Sequence, residues 1–109
     1  MSLTFCELSD MYSEIFQRFQ KIELKEWKGE AATLELMKQC GELAKWVMMK
    51  EKYYAFTEDI ETINSRLENE LADVMAQLIR IAYIYNIDLE KAFIDARKEE
   101  DLYLKSRNV

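Results

Sequence analysis

The sequence predicts an all-α protein, and three observations carry that prediction. Proline is absent and glycine occurs twice, so little interrupts helices. Hydrophobic residues make up 50% of the chain and charged ones 33%, a balance that excludes disorder and suits two-faced helices. Apolar residues also recur every three or four positions over long stretches, which is the helical period. At 109 residues the chain is expected to be a single domain, 1–109, with a core modest enough that self-association would help to stabilise it.

Thr4 opens the first helix by making a capping box with Glu7. Phe5, Leu8, Tyr12, Ile15, Phe19 and Ile22 then follow as an apolar stripe, read as core. Periodicity breaks around Gly29, and a second helix runs from about Glu30 to Lys50. The connection EKYYAFTED leads to a third helix that reaches about Tyr85. Its start is at Thr57 or at Ser65, where a second capping box with Glu68 is available, and the earlier start is preferred. Asn86 and Asp88 make a turn and an N-cap, and a fourth helix continues to about Ser106.

The two middle helices carry matching apolar seams. One reads Leu36, Cys40, Leu43, Val47; the other reads Leu67, Leu71, Val74, Leu78, Ile81, Tyr85. Their short connection makes antiparallel, seam-to-seam packing the simplest arrangement, half of a four-helix bundle. The first helix, with Phe5, Tyr12, Phe16 and Phe19, has more apolar face than a monomer of this size covers easily. A symmetric dimer or dimer of dimers is therefore expected.

Composition also narrows the function. A formal charge of −6 argues against a nucleic-acid groove, which needs Lys and Arg facing phosphates. Cys6 and Cys40 have no CxxC spacing and no His exists in the chain, so a zinc site and a Cys-His nucleophile are disfavoured and acid-base chemistry falls to carboxylates and Lys. No apolar run is long enough to span a membrane, and MSLTFCELSD lacks the features of a signal peptide. The cytoplasm is the expected compartment.

Beside each seam runs a polar stripe: Glu35, Gln39, Glu42, Trp46, Met49 on the second helix and Glu70, Asp73, Gln77, Arg80 on the third. Carboxylates gathered in a partly buried cleft repel one another and lose hydration unless a cation sits among them. Mg²⁺, which prefers oxygen ligands, is the simplest candidate. The same spacing fits a solvated face tied by pairs such as Glu42 with Lys45 and Glu70 with Arg66. Periodicity does not decide between the two.

GELAKW, ENELADVMAQLI and NIDLEKAF, within a stretch of roughly 27–107, resemble the MazG-like all-α nucleoside triphosphate pyrophosphatases, the superfamily of the dimeric dUTPases and dCTP pyrophosphatases. Its members carry an E-x-x-E pair on one helix and an E-x-x-D pair on the next, holding Mg²⁺ for hydrolysis of a nucleotide at its α-phosphate. Glu70-Leu71-Ala72-Asp73 matches the second pair fully, whereas Gln39-Cys40-Gly41-Glu42 matches only the last member of the first. The resemblance thus implies Glu42, Glu70 and Asp73 as catalytic and metal-binding carboxylates, with Gln39 and Glu35 as further ligands. Glu35, one turn before Gln39, is the candidate replacement for the missing acid.

For substrate, the resemblance implies a nucleoside triphosphate yielding a monophosphate and pyrophosphate. Lys45 is either a phosphate contact or simply solvated, and Trp46 either stacks on the base or packs in the core. Trp27 would close the pocket from the far side. On the last helix the family tends to carry Lys and Asn where this chain has Ala96 and Glu100, leaving Arg97 and Lys98 as the neighbours able to substitute. Lys38 also stands where many members have an acid. Three readings stay open: a Mg²⁺-dependent pyrophosphohydrolase, a relative without turnover that binds nucleotide or metal, and a helical oligomerisation module.

Overall fold

The computed structural model describes residues 2–109. These form four helices and no strand: α1 (Phe5–Phe19), α2 (Gly29–Lys50), α3 (Ile60–Ile84) and α4 (Leu89–Ser106). The capping box at the head of α1 is present in both halves. Thr4 Oγ1 accepts from the Glu7 amide at 3.1 Å, and Glu7 Oε1 accepts from the Thr4 amide at 3.2 Å. Asp88 caps α4 by accepting from the Lys91 amide at 3.0 Å, and Asn86, at φ 54°, supplies the left-handed turn before it.

The third helix starts at neither expected position. Asp59 is its N-cap, accepting from the Thr62 amide at 2.8 Å, and Ser65 lies well inside the helix. A carboxylate is among the strongest caps, and starting there places Ile63, four residues on, in the core.

Helices α2 and α3 form an antiparallel hairpin. Trp46 and Met49 near the end of α2 pack with Ile63 near the start of α3, and Phe56 and Leu67 close over them. At the other end the α2 backbone passes beneath Tyr85: a Cβ on Gly29 would lie 1.7 Å from the tyrosine oxygen. Phe16 fastens α1 to α3 through an edge contact with Tyr83, ring centroids 4.9 Å apart.

Two packing expectations are corrected. The α1 stripe is not core throughout, because the helix ends at Phe19 and the chain turns away: Phe19 is exposed and Ile22 is 77% exposed, while Phe16 is wholly buried. The α2–α3 interface is also rotated relative to seam-to-seam packing. Leu71 is 55% and Leu78 44% exposed, whereas the inner line of α3 runs Ile63, Glu70, Gln77 and that of α2 includes Ala32, Trp46 and Met49. Adjacent positions on a helix differ by about 100°, so an apolar seam and the polar stripe beside it exchange inner and outer places through a modest rotation.

Among the described residues α4 buries none, leaving Phe93, Ile94 and Leu102 facing outward. The radius of gyration is 17.4 Å, against about 13 Å for a compact chain of this length. No helix among the described residues is long and apolar enough to cross a membrane.

Ile63→Ala should lower the unfolding free energy by about 2–5 kcal/mol, measured by urea denaturation. Ile22→Ala, outside the core, should stay within about 0.5 kcal/mol of the parent.

Candidate functional site

The polar stripe of α3 lies against the rest of the chain. Glu70, Gln77 and Arg80 are buried and Asp73 is half-buried. Burial of Glu70 follows from the rotated interface, which puts it on the inner line seven residues past Ile63, two turns along the same face. Its Oε2 has no hydrogen-bond partner among the described residues. The Glu70–Arg66 pair of the solvated-face reading does not form: Arg66 instead lies over Trp46, 6.0 Å from the ring centroid. Asp73, one turn on, accepts from Asn69 Nδ2 at 3.2 Å.

The stripe of α2 is half-buried at Glu35, Gln39 and Glu42. Gln39 donates to Glu35 Oε1 at 3.0 Å and Lys38 reaches the same oxygen at 3.5 Å, so Glu35 turns toward its own helix. Glu42 pairs with Lys45 at 3.7 Å in an exposed setting. Among the described residues no group of three or more His, Cys, Asp or Glu side chains lies close enough to hold a metal ion. Glu42, Glu70 and Asp73 thus sit on two packed helices without being gathered round one point.

Trp46 is buried in the α2–α3 core, with the Lys45 ammonium 4.9 Å from its ring centroid. Arg97 is committed to Glu100, donating from Nε at 2.9 Å and Nη2 at 2.7 Å, and it stacks on Phe93 of its own helix. Lys98 is exposed on α4. Trp27 is placed at the far end of the α3 stripe, 4.4 Å from the Arg80 guanidinium.

Around Arg80 the structure assembles a group that sequence reasoning did not single out. The guanidinium lies over both Trp27 and Phe16, the latter's centroid 5.3 Å away, and its Nη2 donates to both oxygens of Glu23 at 3.0 Å. Glu23 comes from the segment between α1 and α2, 57 residues earlier in the chain. The available signal was Arg80 itself, a cation at the end of a stripe predicted to be partly buried and therefore in need of an anion. Nothing in the local pattern names that anion as Glu23.

Tyr12 joins α1 to this group. Burial raises its phenol pKa above the ordinary 10.0; the Arg80 charge pulls it down, the Asp73 charge pushes it up, and hydrogen bonding to Gln77 and Arg80 lowers it. Desolvation dominates because the charged phenolate loses far more hydration on burial than the neutral phenol does.

No protein-family model, no curated protein and no solved structure matches this chain.

The raised Tyr12 pKa means that the folded chain holds the phenolic proton more tightly than the unfolded one. The stability it contributes is complete below pH 10.0 and is lost as pH rises through the folded value. Chemical denaturation across pH 8–11 should therefore show a steeper alkaline loss in the parent than in Tyr12→Phe.

Proposed function

We propose that the chain is a Mg²⁺-dependent nucleoside triphosphate pyrophosphohydrolase of the MazG-like kind, acting as a dimer or dimer of dimers in which a second chain closes the bundle. The observation that carries this reading is Glu70: a buried carboxylate with an unpartnered oxygen, one turn from Asp73 and on the face that meets α2. A solvated face does not bury its carboxylates, and an unpaired buried charge is costly.

The donor set fits a hard cation. Glu42, Glu70 and Asp73 offer carboxylate oxygens, Gln39 offers an amide oxygen and no thiol or imidazole competes, which is the chemistry Mg²⁺ takes. When bound there, the ion would polarise the phosphate and lower the pKa of an attacking water. Glu42 is tied to Lys45 only by an exposed pair, worth little, so its carboxylate is free to turn inward. Lys45 then stands one turn along as a phosphate contact. Arg97 and Lys98 serve substrate only where α4 meets another chain, because no residue of α4 is buried within its own chain. The exposed faces of α3 and α4, with Leu71, Leu78, Phe93 and Ile94, supply apolar surface for that assembly.

The same outward apolar surface supports a second reading, a helical oligomerisation module or a relative without turnover, in which Gln39 marks the loss of metal. Incubation with Mg²⁺ and a panel of nucleoside triphosphates should release pyrophosphate, and Glu70→Ala should abolish it. Absence of pyrophosphate from every nucleotide, with no saturable Mg²⁺ binding, would leave the module. Gln39→Glu should tighten Mg²⁺ by about tenfold or more, the scale of one added charge-assisted ligand. Light scattering should report a dimer or tetramer, and Leu78→Glu should shift it toward monomer.

A further inference from the structure

We propose that Arg80 is an oxyanion-binding site held closed by Glu23, and that a phosphoryl or carboxylate ligand displaces Glu23 and releases residues 20–26 from α3, with Trp27 staying in place over the guanidinium. The Arg80 side chain is 4% exposed and that of Glu23 13%. A guanidinium presents five N–H donors in a planar fork that best grips an oxyanion through two nitrogens at once. Here a single nitrogen serves both Glu23 oxygens at 3.0 Å, and the buried Nε has no partner among the described residues. Glu23 thus engages one nitrogen of the fork and leaves the adjacent Nε without an acceptor.

The surroundings suit an anion that bridges those donors. Trp27 and Phe16 hold the guanidinium plane from two directions. The Tyr12 hydroxyl and the Gln77 amide face the same end of the stripe, and Gln77 Oε1 also lacks a partner, so the amide can turn its NH₂ toward a ligand. Asp73 is seven residues away along α3, about 10 Å of rise, so its repulsion is weakest at the end nearest Trp27.

The segment that carries Glu23 has little else to hold it. Leu24 is fully exposed and Ile22 largely so, and half-buried Trp27 marks the end of the segment. Exchange of one anion for another at Arg80 therefore frees the segment without uncovering a core.

The test needs neither metal nor turnover, so it stands apart from the hydrolase reading. In EDTA, with NaCl as the control at matched ionic strength, pyrophosphate should speed tryptic cleavage of the parent protein after Lys21 and Lys25 several-fold. Cleavage after Lys105 should not change. Citrate in place of pyrophosphate separates the two ligand sources: the effective anion names the class. By tryptophan fluorescence, Glu23→Gln should bind the effective anion about tenfold tighter or more, and the added substitution Arg80→Gln should remove that binding. If neither anion alters cleavage of the parent, the proposal fails, whether or not the variants fold. It fails equally if folded Glu23→Gln binds no tighter than the parent.

Discussion

One buried guanidinium joins three parts of this chain. Arg80 projects from α3, lies over an aromatic ring of α1 and one from the segment before α2, and meets its counter-charge in that segment. Its removal would leave Glu23 unpaired in a largely desolvated place, and breaking such a pair from one side typically costs about 3–5 kcal/mol. With α1 touching α3 through few other large contacts, the placement of Tyr12 and Phe16 depends on that charge as much as on apolar burial. The polar stripe is in this sense structural before it is anything else.

The second constraint is the rotation of α2 against α3. It turns a line of acid and amide groups inward and leaves Leu71 and Leu78 on the outside, an inversion of the usual economy for an isolated helical hairpin. Both halves of the inversion point beyond the single chain. The inward carboxylate of Glu70 calls for positive charge, and the outward leucines call for more protein. The single chain meets neither demand; the proposed assembly with a bound cation would meet both.

Much of the fold was legible in the sequence, because helical period and capping are local. Thr4 with Glu7, and Asp88 before α4, can be read from a few neighbouring residues, and both caps form as expected. Asp59 is not singled out locally because Thr57 and Ser65 offer competing hydroxyl caps nearby, and the choice among them turns on which start carries Ile63 into the core. The rotation was not legible, since two stripes one position apart fit the same periodicity and only side-chain packing selects between them. At the site, a place beside a seam implies only partial burial of the Glu70 stripe, and it is the rotation that carries Glu70 fully inward. The Glu23–Arg80 partnership was not legible, for no local rule connects residues so distant in the chain. Nor did periodicity reveal that α4, amphipathic like the others, would have none of its residues buried by its own chain.

That last helix keeps its shape by other means. Lys91 with Asp95, Arg97 with Glu100 and Asp101 with Lys105 are ion pairs between successive turns, at 2.7, 2.7 and 2.8 Å. Each adds only about 0.2–0.5 kcal/mol to a helix in water, but together they favour an arm already coiled before anything touches it. A preshaped arm surrenders less freedom on docking than one that must coil as it lands, so encounter between chains would resemble the meeting of rigid bodies rather than folding upon contact.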